Sequence, residues 1–391
     1  MAKLIDITGK AISGEWGNDD NAGTGIPVLR TTNFTNDGVI NYNNVVTREI
    51  RKKDLSQKLL QSGDIIIEKS GGSDKQPVGR VVYYDGEPNK FLFNNFTGVL
   101  RVRDKAVWYP RYVFYALYSN YAKGGTRRYE NKTTGLHNLK TDQYVQDFAI
   151  QGRSLEYQQQ VVSKLDKVAE LIALRKEQLA KLDELVKARF VELFGDVALN
   201  PNGYPVKDFE EISVLITDGE HATPRRTEEG IYLLSARNVL NHTLQLDDVD
   251  YIDEEEYNRI ARRVIPQAGD VLISCSGSIG RCCVVPDGLK FQMVRSAALI
   301  RFDDTINPIF AEWLITSDDL QRQIAQSATQ SSQANLFQGK IRKLHGYVPP
   351  MELQNQFAAF IEQTDKLKFE VKEALEKLET LKKSLMQQYF G

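Results

Sequence analysis

The chain has little cysteine, little histidine and no long apolar run. Three cysteines among 391 residues (Cys275, Cys282 and Cys283) lie too close together to make a disulfide framework. With no signal-peptide pattern at the N-terminus, they read as reduced, buried thiols of a cytoplasmic protein. Four histidines (His137, His221, His242 and His345) lie far from the cysteines in sequence, so finger-like zinc spacing is missing and no metal is expected. No apolar stretch approaches the ~20 residues of a membrane span. Strong charge of one sign is also missing: the net charge is −2, which by itself argues against a nucleic-acid binder.

That near-neutral total hides a split. Residues 1–150 carry 21 basic against 16 acidic side chains, whereas residues 196–350 carry 15 against 22. A polyanion would have to be held by local basic loops, or with help from a more basic partner.

Catalytic signatures are missing as well. "GDVLISCSGSIGR", Gly269 to Arg281, has an apolar strand running into a Ser/Gly loop, but it fits neither a Walker loop nor a G-x-S-x-G nucleophile turn. Its counterpart "GDIIIEKSGG", Gly63 to Gly72, offers Asp64, Glu68 and Lys69, a faint nuclease pattern. Adjacent residues on a strand face opposite sides, so Glu68 and Lys69 cannot share a metal. Both stretches read as scaffold: a turn, a core strand and a polar loop at its exit. An adenosylmethionine loop and an Asn/Asp-Pro-Pro-aromatic methyltransferase motif are lacking too, so no independent enzyme is expected.

What is present is duplication. Gly14-Glu15 matches Gly219-Glu220, Leu29 matches Leu234, Asn33 matches Asn238, Gly63-Asp64 matches Gly269-Asp270, and Asn138-Leu139 matches Asn335-Leu336. Leu155–Gly195 lies on Met351–Gly391 without gaps, with 13 of 41 positions identical. The order is a mixed region (1–150), a helix (151–195), a second mixed region (196–350) and a second helix (351–391). The mixed regions contain strand-like runs such as "DIII", "RVVYY", "DVLI" and "AALIRF", with helix-like stretches at Trp108–Tyr121 and Pro308–Ala325. The fold class is therefore α+β.

The two helices carry apolar residues at alternating steps of three and four. In the first these are Val161, Leu165, Val168, Ile172, Leu179, Leu182, Val186 and Leu193; in the second they are Phe357, Phe360, Leu367, Val371, Ala374, Leu378, Leu381 and Leu385. This is a coiled-coil seam. Leu171, Leu174, Leu185 and Leu375 widen the stripe and leave surface for helices of a partner. Pro349-Pro350 suits the first turn of the second helix, and Gly195 ends the first.

This ordered duplication resembles the specificity subunit of type I restriction-modification systems, in the phrases "GDVLISCSGSIGR", "ANLFQGKIRKLHGYVPPMELQNQ" and "HNLKTDQYVQDFAIQGRSLEYQQQ". One departure is Gly152-Arg153-Ser154, which replaces the usual Pro-Pro before the first helix. The resemblance implies two tandem target-recognition domains separated by two helices that pack as an antiparallel coiled coil. Each domain is expected to read one half of a split site on double-stranded DNA. Implied partners are two adenine methyltransferase subunits and the restriction motor-nuclease subunits. No cofactor is expected on this chain, S-adenosylmethionine belonging to the methyltransferase, and no membrane is involved. Two alternatives stay open: a specificity subunit of a type II combined nuclease-methyltransferase, and a coiled-coil adaptor that binds no DNA.

Candidate DNA-binding residues follow from side-chain chemistry, with Arg and Asn suited to guanine and adenine edges and Lys and Thr to phosphates. In the first domain they are Thr32, Asn33, Lys123, Arg127, Arg128, Tyr129, Asn131, Lys132 and Asn138; a solvated basic loop is the alternative. In the second they are His221, Thr223, Arg225, Arg226, Arg237, Asn238, Ser276, Arg281, Gln330, Ser331, Ser332, Gln333 and Asn335. The Ser/Gln loop equally fits a hydrophilic tip. Arg259, Arg262 and Arg263 are expected to pair within an acidic helix.

Overall fold

The computed structural model describes residues 1–52, 54–133, 136–328 and 335–391, leaving aside the side chains of 132, 133, 136 and 328. The chain divides into two compact units, residues 1–176 with 373–391 and residues 177–372. Each holds one part of each long helix.

The first unit is built on a four-stranded antiparallel sheet, in the order Ile12–Ser13, Thr97–Leu100, Asp64–Glu68, Val81–Tyr84. The second repeats that order with Ser213–Asp218, Ala297–Phe302, Val271–Ser274 and Cys282–Val284. The "DIII" and "VLIS" runs do not alternate with polar residues because both faces of these strands are buried. Ile65 and Ile67 enter one core and Ile66 another; Val271 and Ile273 likewise separate from Leu272. A short parallel pair stands beside each sheet, Ile26–Leu29 with Leu92–Phe93 and Ile231–Leu234 with Phe291–Met293. A two-stranded clip ties the start of each module to its end, pairing Ala2 with Ile150 and Val206 with Tyr347.

The twice-repeated Gly-Asp is now explained. Asp64 and Asp270 are each 1% exposed. Each takes two N–H donors from one arginine, Arg101 at 2.7 and 2.7 Å and Arg301 at 2.7 and 2.7 Å. Each also accepts the backbone N–H three residues before it, from Gln61 (2.8 Å) and Gln267 (2.7 Å). A carboxylate that closes its own turn and pins a neighbouring strand needs no catalytic role.

The long helices run Leu155–Phe194 and Met351–Phe390. In place of Pro-Pro, Ser154 caps the first: its Oγ accepts the N–H of Tyr157 (3.3 Å) and its carbonyl that of Gln158 (3.1 Å). The first helix ends at Gly195, whose φ of +77° and closeness to the Pro201 ring leave no room for a Cβ. A buried glutamine binds each helix to its module. Gln158 accepts Tyr109 N–H (2.8 Å) and donates to Val107 and Arg153 carbonyls (2.9 Å each). Gln354 accepts Asn307 N–H (2.8 Å) and donates to Thr305 (3.0 Å) and Pro349 (2.8 Å) carbonyls.

The helix segments pack antiparallel within each unit. Tyr157 meets Tyr389 and Lys176 meets Glu379 in the first; Asp183 meets Lys368 and Phe190 meets Phe357 in the second. The first helix's seam is largely as read, with Val161, Leu165, Val168, Ile172 and Val186 buried. The second corrects the reading. Leu367 and Leu381 are 50% and 45% exposed; Phe357 and Val371 are buried as read, with Thr364 as a polar member of the seam, and Ile361 and Met386 complete the buried face. Lysines take inner places: Lys368 binds Asp183 at 2.6 Å, and Lys382 lies over the Tyr118 ring at 5.3 Å. Their aliphatic stems fill the seam while the ammonium finds a partner, which a pattern of apolar letters does not register.

The stretch read as one helix over Pro308–Ala325 is two, Pro308–Ile315 and Asp318–Ala328. Thr316 Oγ1 bonds back to the Glu312 carbonyl (3.1 Å), and Ser317 Oγ accepts Leu320 N–H (3.4 Å) to start the next helix. Among the described residues, no helix is long and apolar enough to cross a membrane.

Candidate nucleic-acid interface

The repeated polar phrases, scattered in sequence, converge at one place in each unit. The exit loop of the central strand leads. Ser70 pairs across to Asn138 in the first unit and Ser276 to Asn335 in the second. The next residue of each phrase follows suit: Leu139 N–H bonds the Lys69 carbonyl (2.8 Å), and Leu336 N–H bonds the Cys275 carbonyl (2.9 Å).

A turn outside the sequence reading completes the cluster. Residues 94–96 and 294–296 join each parallel strand to the central sheet. Lys69 N–H reaches the Phe96 carbonyl (2.8 Å), and Cys275 N–H reaches that of Ser296 (2.7 Å). Asn94 N–H bonds Leu29 (3.0 Å), and Val294 N–H bonds Leu234 (2.9 Å). The duplicated Gly-Glu presses on the same turn: Glu15 N–H bonds the Phe93 carbonyl (2.8 Å) and Glu220 N–H that of Met293 (2.8 Å). A Cβ on Gly14 or Gly219 would strike that backbone, which accounts for glycine at both. The turn carries exposed Asn95 and Phe96 in the first unit and exposed Arg295 in the second. Its signal was a short polar break between two apolar strands, present in both repeats.

Several expected contact residues build the loops instead. Asn33 and Asn238 are buried. Asn33 Oδ1 accepts Arg30 N–H (2.9 Å) while its Nδ2 donates to the Asn41 (3.0 Å) and Asn43 (3.3 Å) carbonyls. Asn238 does the same with Ser235 N–H (2.9 Å) and the Gln245 (3.0 Å) and Asp248 (2.9 Å) carbonyls. Their amides hold a loop together, with both N–H donors of each used on loop carbonyls. Tyr129 is buried in the first core, its ring against Tyr144. Lys123 donates to the Phe390 carbonyl at 3.0 Å.

Other candidates stand at the surface. Thr32, Arg127, Arg128 and Asn131 are exposed, with Arg127 reaching the Asp74 carbonyl (3.4 Å) and Arg128 lying over the Tyr129 ring (4.7 Å). His137 anchors their hairpin from inside: Nδ1 meets buried Glu130 at 3.0 Å, and Glu130 also accepts Val78 N–H (3.0 Å). In the second unit, Thr223 is exposed and Arg281 half-buried. His221 is tied to Asp218 (2.8 Å). The arginines there are engaged: Arg225 with Asp253 (2.8 Å) and Glu255 (2.9 Å), Arg226 and Arg237 with the same Asp250 (3.0 Å each). Arg259 pairs within its helix with Glu256 (2.9 Å), as read, whereas Arg263 binds Asp218 outside it. Gln330, Ser331, Ser332, Gln333 and the side chain of Lys132 lie outside the described residues.

Electrostatics separate the two copies. Burial holds the Glu68 carboxyl above its usual range even beside Arg80 (3.0 Å), and it pushes the Lys69 ammonium below its own. In the second copy, neutral Ser274 and Cys275 stand in their places. Ser274 Oγ donates to the Ser278 carbonyl (2.6 Å) and accepts Arg281 N–H (3.0 Å), closing the Ser/Gly loop on itself. All three thiols are buried, and desolvation lifts Cys275 and Cys283 to about 12.

Residues 2–184 match the family of the type I restriction modification DNA specificity domain. The fold of the whole chain is similar to that of a type I restriction-modification S subunit from M. genitalium. That likeness has a TM-score of 0.63 at 14% identity and covers 100% of this chain and 95% of the other. A second solved structure, concerned with complex assembly and conformational transition of the type I R-M system, matches with a TM-score of 0.58 at 16% identity, over 100% and 96% of the two chains. No curated protein matches. The fold of the whole chain is like that of type I specificity subunits, and residues 2–184 are similar to the DNA specificity domain of that family.

Proposed function

We propose that the chain is the DNA specificity subunit of a type I restriction-modification complex in the cytoplasm. Each module reads one half of a two-part DNA site. The long helices set the spacing and receive two adenine methyltransferase subunits, through which the motor-nuclease subunits join. The observation that carries this reading is the double convergence: the same duplicated phrases build the same loop cluster in each unit. Exposed Leu171, Leu174, Leu185 and Leu367 on the helices suit a helical partner.

Methyl transfer belongs to the partner, which holds S-adenosylmethionine; this chain supplies position. Phosphate contacts are shared with that partner, which accommodates a near-neutral chain. The test is to purify the chain with and without its methyltransferase and map methylated adenines in duplex DNA. Methylation should require both proteins and occur at a split sequence. Methylation by the chain alone, or by the partner alone at the same sites, contradicts the reading.

A further inference from the structure

The turn at 94–96 and 294–296 belongs to neither the duplicated phrases nor the expected contact residues, yet in each unit it is bonded to the end of the first parallel strand and to the exit of the central strand. We propose that this turn reads bases, and that Arg295 is the specificity-determining residue of the second module, with a guanine as its target. The inference rests on the chain being a DNA specificity subunit.

The backbone at Arg295 is fixed from several sides. Arg295 N–H donates to the Glu220 carbonyl (3.0 Å), Val294 N–H to Leu234 (2.9 Å), Cys275 N–H to Ser296 (2.7 Å), and Ala236 N–H to Ser296 Oγ (3.1 Å). The side chain is exposed on this fixed base. Among the described residues its guanidinium has no carboxylate partner, unlike Arg225, Arg226, Arg237 and Arg259. Glu220, whose carbonyl accepts the Arg295 N–H, has its carboxylate engaged by Arg259 (3.6 Å) and by Ala222 N–H (2.9 Å). In an acidic module where Arg225, Arg226, Arg237 and Arg259 are paired with carboxylates, an uncommitted guanidinium on a rigid turn has the fork that matches guanine O6 and N7.

At the same place the first module presents Asn95 and Phe96, the latter 52% exposed. An amide suits the N6/N7 edge of adenine, and a phenyl ring suits a thymine methyl. Two modules that read different half-sites need different chemistry at equivalent positions, and this turn supplies it.

The test uses the chain in complex with its methyltransferase and a duplex library randomised in each half-site in turn. Arg295→Ala should erase the preference at one position of one half-site by roughly 5- to 150-fold and leave the other half-site unchanged. Arg295→Lys keeps the charge but not the fork, so it should not restore that preference. Asn95→Ala with Phe96→Ala should alter only the other half-site. An equal loss on every sequence, restored by lysine, would make Arg295 a phosphate contact and overturn the proposal; unchanged selectivity would place the turn away from DNA. A wild-type complex with no sequence preference overturns the underlying function as well, which distinguishes the two failures.

Discussion

Asp270→Ala offers a stability test whose size follows from geometry. The carboxylate is almost wholly buried and accepts three N–H donors, two from Arg301 and one from Gln267. Removing one member of a buried pair costs about 3–5 kcal/mol. The Arg301 side chain remains 27% exposed and keeps the Ile265 carbonyl at 3.2 Å, so water repays part of its loss. A value of about 2–4 kcal/mol is expected, which at ~2 kcal/mol per molar urea lowers the midpoint by roughly 1–2 M. Asp270→Asn keeps the shape and one acceptor and should cost about half as much. Asp64→Ala should match Asp270→Ala, because its arginine distances are the same. Urea unfolding followed by fluorescence gives the readout, with Trp313 in the second unit and Trp16 and Trp108 in the first. A shift below ~0.3 M, or Asn costing as much as Ala, would refute the lock.

Further outcomes are expected. Asp250→Asn frees Arg226 and leaves Arg237 with Asp248 alone (3.8 Å), so it should strengthen DNA binding by the complex and steepen its salt dependence by about one contact; an unchanged slope contradicts it. The Asp253 carboxyl is held below its usual 3.8 chiefly by Glu256 N–H, and Glu256 below 4.5 by Arg259. Both groups are more acidic folded than unfolded, so their contribution is full above those values and fades as pH falls through them. The stability gap between wild type and Asp253→Asn should therefore narrow as pH falls below about 4, and a constant gap down to pH 2 would count against this. The native protein should resist thiol reagents at pH 8, with three equivalents reacting after denaturation, since desolvation holds Cys275 and Cys283 at about 12; rapid native labelling would contradict their burial. One heptad added to both helices lengthens each by about 10 Å, and any activity that survives should use the same half-sites with a longer spacer.

The fold was legible where the signal is local. Apolar spacing located both long helices, the second to within a residue and the first four residues too early at its start, and the duplicated phrases located matching strands. Pairing was not legible. Asn33 and Asn238 look like base-reading amides until the fold surrounds them with backbone carbonyls, and Arg225, Arg226 and Arg237 look like free cations until Asp250, Asp253 and Glu255 arrive beside them. Lys368 outranks Leu367 at the seam because a long stem with a partnered charge packs as well as a leucine. Arg295 escaped notice because its turn is short, and its significance lies in what the neighbouring segments donate to it.

The central claim is that two separable modules each read one half-site. Replacing residues 204–348 with a foreign module, then mapping methylated adenines made by the complex, tests it most directly. One half of the methylated sequence should change while the other is kept; a change in both halves together would contradict the account.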